Sequence, residues 1–190
     1  MKGRELIVGV SGGVAAYKTA ALVSRLVQAG AGVSVVLTAS AHEFIGPATF
    51  TALSGRPICE RVFDGQTHPL GAHIDLAAQA ELLCVAPATA NLLAKAAGGL
   101  ADDLLSTLLL SFTGPVLLAP AMNNEMWAKP AVQRNVERLR ADGFHFVGPE
   151  EGWLSCRQRG PGRMSEPEKI FAAIEALLAK SKGPAGPEKK

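Results

Sequence analysis

Aromatic side chains make up 5% of the 190 residues, charged ones 19%, and cysteine occurs three times. Each scarcity excludes something. Cys59, Cys84 and Cys156 leave at least one thiol unpaired, and none lies in a CxxC pair. That argues against a disulfide framework and a zinc site, and for a reducing compartment. The net charge is only +2 and the basic residues are scattered, so there is no field for nucleic acid. No stretch approaches the roughly 18 uninterrupted apolar residues of a membrane span. The start, MKGRELIVGV, has Arg4 and Glu5 and too short an apolar run for a signal peptide, so a cytoplasmic protein is expected.

What is present is oily and small-faced. Hydrophobic residues reach 48% and many of the helical ones are alanine, which leaves little core volume per residue and favours oligomerisation. The length suits one domain. Apolar, unalternating runs at 6–10, 32–38, 82–88, 115–121 and 144–149 read as strands. Helical periodicity follows at 14–30, 40–55 (helix, break, helix), 73–80, 91–111 (two pieces around Gly98-Gly99), 131–143 and 166–180. In the first helix Ala16, Ala20, Val23 and Val27 share the expected buried face. Residues 56–72 carry turn signals only, and 150–165 reads as an open loop. The tail SKGPAGPEKK, residues 181–190, reads as a linker or loose end after a domain spanning 1–180. Buried strands alternating with helices predict a single α/β domain, a doubly wound parallel sheet covered on both faces.

In such sheets ligands bind beyond the carboxyl ends of the strands. Polar and glycine residues stand there: Ser11-Gly12-Gly13, Thr38-Ala39-Ser40, Thr89-Ala90-Asn91 and Ala121-Met122-Asn123. GVSGGVAAYKT is not a Walker A loop, because Tyr17 holds the place of the glycine before Lys18-Thr19. It also fails GxGxxG, and the second strand ends in no acidic ribose ligand, so ATP and NAD are disfavoured. A tight Gly-Gly turn into a helix N-terminus remains, which favours a phosphate. With the hydroxyls and amides nearby it suits a mononucleotide bearing a polyol chain, such as FMN. Ser40 and Thr89 would also serve as N-caps with no ligand.

One further stretch stands out, GWLSCRQRGPGRMSEP at 152–167. It sets Cys156 among glycines and beside Arg157, Arg159 and Arg163, not in a packed element; such charges favour a thiolate, and an exposed surface thiol on a loop reads equally well.

Together PATAN (87–91), PAMNNEMW (120–127), CRQRGPGRMSEP (156–167) and HIDLA (73–77) resemble the homo-oligomeric flavin-containing cysteine decarboxylases, from about residue 5 to about 180. PAMNNEMW favours their coenzyme A branch, the phosphopantothenoylcysteine decarboxylases. The resemblance implies a flavodoxin-like fold and FMN. It also implies trimers, which in some members assemble into dodecamers, with active sites between neighbours. The FMN contacts it implies are Gly12, Gly13, Val14, Ala15, Thr38, Ser40, Thr89, Ala90 and Asn91, with Ser106 and Ala121. It gives His73, Asn123 and Cys156 catalytic roles and puts Met122 beside the substrate. The implied reaction is decarboxylation of 4′-phosphopantothenoylcysteine to 4′-phosphopantetheine. Flavin oxidises the thiol to a thioaldehyde, CO₂ leaves, and the enethiol is reduced again with a proton from the protein. His73 would act as base or carboxylate orienter, Asn123 as carboxylate donor, and Cys156 as acid on a closing lid. Many relatives are fused to phosphopantothenoylcysteine synthetase.

Two positions depart from the family pattern: Leu92 replaces a threonine after PATAN, and Arg157 replaces a glycine after the lid cysteine. The alternatives are a peptidyl-cysteine decarboxylase, a flavin prenyltransferase, or a non-enzymatic FMN-binding regulatory subunit. His42, His68 and His145 read as structural, Cys59 and Cys84 as buried thiols, and Trp127 and Trp153 as packing or interface anchors. Asp102-Asp103 reads as a helix start.

Overall fold

The computed structural model describes residues 1–63 and 71–180. His68 and the tail expected over 181–190 lie outside the described residues. Strands β1 (Glu5–Val10), β2 (Gly32–Leu37), β3 (Leu82–Ala88), β4 (Val116–Pro120) and β5 (His145–Phe146) form one parallel sheet in the order β2-β1-β3-β4-β5. This is the flavodoxin-like winding, with its switch point between β1 and β3.

Alternate side chains of each strand enter opposite cores. Leu6, Val8 and Val10 pack with Leu22, Val23 and Leu26 of α1 (Ala16–Gln28), Phe50 of α2 (Pro47–Ser54) and Ile170, Ile174 and Leu178 of α8 (Pro167–Lys180). Ile7, Leu83 and Val85 face α3 (Ala72–Gln79), α4 (Ala90–Gly98), α5 (Leu104–Ser111) and α7 (Pro130–Ala141). β3 is buried along its whole length, as a central strand covered on both faces must be. Burial there pushes the Cys84 thiol up to about 12, which makes it inert packing. The α1 face is rotated from the expected one: Thr19, Leu22 and Leu26 are buried with Ala16 and Val23, while Ala20 and Val27 are only partly so. Thr19 is admitted because its hydroxyl donates to the Ala86 carbonyl at 2.6 Å.

Two elements depart from the reading of the sequence. Residues 124–128 form a five-residue helix, α6 (Asn124–Ala128). The expected open loop is an antiparallel hairpin of β6 (Glu150–Trp153) and β7 (Arg159–Arg163), with Cys156 at its tip. Leu154 N–H donates to Gln158 O and Arg157 N–H to Leu154 O, both at 2.9 Å. The turn closes through Arg157 at φ 64, the left-handed position a hairpin of this kind normally gives to glycine.

Ahead of α5, Asp103 builds a capping box: its carboxylate accepts from Ser106 N–H at 2.8 Å while the Ser106 hydroxyl accepts from Asp103 N–H at 3.0 Å. Lys95 adds an ion pair at 2.9 Å. Burial opposes ionisation of Asp103, but the Ser106 donors and Lys95 outweigh it and hold the carboxyl below its ordinary range.

Asp103→Ala should cost about 1–2 kcal/mol in chemical denaturation. Asp103→Asn should flatten the acid side of the stability profile. A depressed carboxyl stabilises the fold above its unfolded value, about pH 4, and that stability is lost as pH falls through the folded one. Profiles of variant and wild type that stay parallel through this range would contradict the assignment. Arg157→Gly should slow hydrogen exchange of the Leu154 and Arg157 amides, since removing a left-handed side chain relieves about 1 kcal/mol; faster exchange would count against the strain.

Candidate active site

Beyond the carboxyl ends of β1, β3 and β4 the sheet opens into a cleft of about 780 Å³. Its rear edge is set by hydroxyls. Pro87 interrupts the β3–β4 register, which shifts between Val85 and Ala88. The Ser11 hydroxyl donates to Pro87 O at 2.7 Å and accepts from Thr89 N–H at 3.1 Å, joining the ends of β1 and β3. Thr89 in turn caps α4 through Leu92 N at 3.4 Å.

The opposite lip is the turn from β1 into α1. That helix has no side-chain cap and no acid in its first turn. The N–H groups of Gly12, Gly13, Val14 and Ala15 make no backbone hydrogen bond among the described residues. A Cβ on Gly12 would lie 2.5 Å from Ser40 Oγ and 2.7 Å from Ser40 O, so only glycine lets the two loops close together. The result is a cradle of free N–H groups with the Ser40 hydroxyl beside it, suited to a phosphate. Val14, Tyr17, Ala121, Met122, Met126, Leu154 and Met164 supply apolar walls. A phosphate seat, apolar walls and this volume fit a mononucleotide with a flat ring system.

Most of the expected contacts meet here. Gly12, Gly13, Val14, Ala15, Ser40, Thr89, Ala90, Asn91 and Ala121 line the cleft, together with Met122 and Asn123. Thr38 does not. It is buried, with its hydroxyl 3.4 Å from Val10 O and 3.2 Å from Ser40 Oγ, so it supports the Ser40 loop from behind. Ser106 is also absent from the lining, because its hydroxyl is engaged in the capping box of α5. Ser40 sits inside a 3-10 turn, Ala39–Glu43, and caps no helix. Leu92 is 2% exposed and packs in the core, so its departure from the family pattern does not reach the cleft.

Asn123 is the N-cap of α6. Its Oδ1 accepts from Met126 N–H at 2.8 Å, which fixes the amide and leaves Nδ2 as a donor at the cleft. Cys156 is exposed at the tip of the hairpin, next to Ser155 on the cleft wall. His73 is not brought to this cleft within one chain. It lies in the first turn of α3, with Nδ1 buried and unpartnered among the described residues. Exposed Ile74 is beside it, and α5, against which α3 packs, exposes Leu110.

Several lining residues were not singled out from sequence: Tyr17, Lys18, Met126, Leu154 and Met164. Lys18 is the most informative, with Nζ 2.9 Å from Glu166 and 3.3 Å from Met164 O, tying α1 to the segment after β7. Arg163, noted in sequence only as charge near the thiol, lines the cleft and pairs with Glu166 at 3.2 Å and Glu150 at 3.5 Å. Trp153 stands 63% exposed at the rim, while Trp127 packs partly buried against the core. Of the remaining histidines described, His42 lies 3.3 Å from Glu60 and His145 sits on β5. Among the described residues no three metal-ligating side chains cluster, and no helix is long and apolar enough to cross a membrane.

Comparison with known proteins places this geometry. The flavoprotein family model matches residues 1–179. The coenzyme A biosynthesis bifunctional protein CoaBC of Bacillus subtilis (strain 168) is 48% identical over 94% of the chain but only 44% of its own length. That of Mycobacterium tuberculosis (strain CDC 1551 / Oshkosh) is 49% identical over 92% of the chain and 41% of its own length. The chain thus spans less than half of these curated relatives. Among solved structures, the FMN-dependent cysteine decarboxylase SpaF is 36% identical with TM-score 0.81, covering 94% of this chain and 97% of that one. A cysteine-to-serine mutant of PPC decarboxylase complexed with pantothenoylaminoethenethiol is 29% identical with TM-score 0.85, covering 95% and 100%. With a family model over nearly the whole chain and a full-length likeness to SpaF, the chain belongs to the flavoprotein family, among its FMN-dependent cysteine decarboxylases.

Proposed function

We propose that residues 1–180 form an FMN-dependent decarboxylase domain that converts 4′-phosphopantothenoylcysteine to 4′-phosphopantetheine in coenzyme A biosynthesis. The observation that carries this reading is a single cleft holding both an uncapped, glycine-lined helix N-terminus and the fixed amide of Asn123, with Cys156 on the hairpin beside it. The relatives at 48% and 49% identity, both named for coenzyme A biosynthesis, support this substrate over a peptide.

Gly12, Gly13, Val14, Ala15 and Ser40 would hold the FMN phosphate, with Thr89, Ala90, Asn91 and Ala121 along the rest of the cofactor. When bound, FMN supplies a reversible two-electron sink, which allows the substrate's C–S carbon to become electron-withdrawing and gives the carboxylate electrons a destination. Asn123 Nδ2 donates to the carboxylate. A neutral donor suits this place, since a fixed cation would stabilise the ground-state charge that must be lost. Met122 and Met126 close the apolar side. Cys156, carried over the cleft by the hairpin, excludes water and delivers the proton that completes the product.

His73 then requires a neighbour. The exposed apolar groups Ile74 and Leu110 on the α3–α5 face suit a homo-oligomer, trimer or dodecamer, in which His73 of one subunit meets the cleft of the next. The short share of the curated relatives that this chain spans suits fusion or association with a phosphopantothenoylcysteine synthetase through the 181–190 segment. A cytoplasmic location follows from that pathway.

Incubated with FMN and 4′-phosphopantothenoylcysteine, the protein should release CO₂ and form 4′-phosphopantetheine. Asn123→Ala should lower kcat/KM by about tenfold or more, the worth of a hydrogen bond to a charged group. Cys156→Ser should lose CO₂ yet stall at a species two hydrogens lighter than the product. No turnover by FMN-loaded wild type would refute the substrate, and a fully active Cys156→Ser would refute the role of the lid.

A further inference from the structure

The inner face of β7 carries no side chains. Gly160 and Gly162 alternate with outward Arg159 and Pro161, and both glycines are buried. What lies against them is the β4–α6 connection that carries Asn123. A Cβ on Gly162 would come 2.3 Å from Met122 O and 3.3 Å from Asn123 C. A Cβ on Gly160 would come 2.9 Å from Asn124 Cβ. Gly162 is also at φ 135, a conformation side chains rarely adopt, and its carbonyl accepts the Met122 N–H at 3.0 Å. The stem of the hairpin and the backbone that presents Asn123 are therefore in direct contact on both sides of that residue.

We propose that Gly162, seconded by Gly160, is a positioning residue: the bare face of β7 sets the height and orientation of Asn123 in the cleft. This rests on the reading of Asn123 as the carboxylate donor and extends it to the strand packed behind the donor loop, which reaches the cleft at Gly162 and Arg163. The physical reason is exclusion. Any side chain at 162 meets a backbone carbonyl, which cannot rotate aside, so Met122-Asn123 must shift as a unit. The Asn123 cap on Met126 turns that shift into a rotation of the amide, and misplacement of a polar contact by about 1 Å is enough to weaken catalysis strongly. The FMN cradle, built mainly from the β1–α1, β2 and β3–α4 loops, is left in place. A second consequence concerns the lid. Because stem and donor loop are one packed body, the hairpin that delivers Cys156 and the loop that holds the carboxylate stay in register.

The test is a double-mutant cycle on Gly162→Ala and Asn123→Ala, with FMN binding followed by flavin absorbance. Gly162→Ala should still bind FMN and lose about tenfold in kcat/KM for 4′-phosphopantothenoylcysteine. Its affinity for 4′-phosphopantetheine, which lacks the carboxylate, should be unchanged. In the Asn123→Ala background the same substitution should cost nothing further, since its effect runs through Asn123. Additive losses, or equal weakening of both ligands, would overturn the proposal. Gly160→Ala meets Asn124 Cβ at 2.9 Å, a smaller overlap than at Gly162, and should show the same pattern more weakly. It carries the test by itself where Gly162→Ala does not fold. An inactive wild type would refute the substrate and not this placement. In that case hydrogen exchange at the Met126 amide, which Asn123 caps, decides the matter. Faster exchange in the glycine variant supports the proposal and unchanged exchange overturns it.

Discussion

The Ser11 hydroxyl joins the two halves of the sheet where they diverge. It gives one hydrogen bond to Pro87 O and takes one from Thr89 N–H, across the switch point between β1 and β3. The strand it reaches is irregular because Pro87 cannot continue the ladder, so the freed backbone groups need side-chain partners, and Ser11 and Thr19 supply them. With that lock in place, the Gly12-Gly13 turn and the Thr89–Asn91 loop face each other at a fixed separation. Most of what could hold a mononucleotide hangs from these two loops and from Ser40, with Ala121 added from the end of β4.

The cleft has two parts of different origin. The cofactor side is made by the ends of central strands, among the most buried elements of the molecule, and is rigid for that reason. The substrate side is made by the β4–α6 connection and the β6–β7 hairpin, which lie outside the main sheet. Lys18 bridges the two, since it stands one turn into the helix that would hold the phosphate and pairs with Glu166 just beyond the hairpin. Arg163 shares that same carboxylate and ties it to Glu150 at the hairpin's root. The division suits a site in which the flavin stays while the substrate comes and goes.

How much of this was legible in the sequence follows from which interactions are local. The runs LIVGV, GVSVVLT, LLCVAPA and PVLLAPA announce buried parallel strands, because only a strand covered on both faces is apolar without alternation. The ends of those strands therefore announce the cleft. The hairpin was not legible: RGPGR has neither alternation nor strand-forming residues, and its pairing is held by glycines that fit against another loop. Helix α6 is too short for a period to show. Ser106 enters through the family resemblance, and within one chain its hydroxyl builds the capping box of α5, a placement that depends on where Asp103 points. His73 stands in a recognisable motif, yet the fold of one chain does not bring it to the cleft.

The central claim is that the N-terminus of α1 seats a phosphate. Its most direct test is calorimetric titration of flavin-free protein with FMN and with riboflavin, which differ only in that group. FMN should bind at least about tenfold more tightly, about 1.4 kcal/mol, and Gly12→Ala should erase the difference by forcing the Ser40 loop away. Equal affinity for the two flavins, or a preference that survives Gly12→Ala, would contradict it.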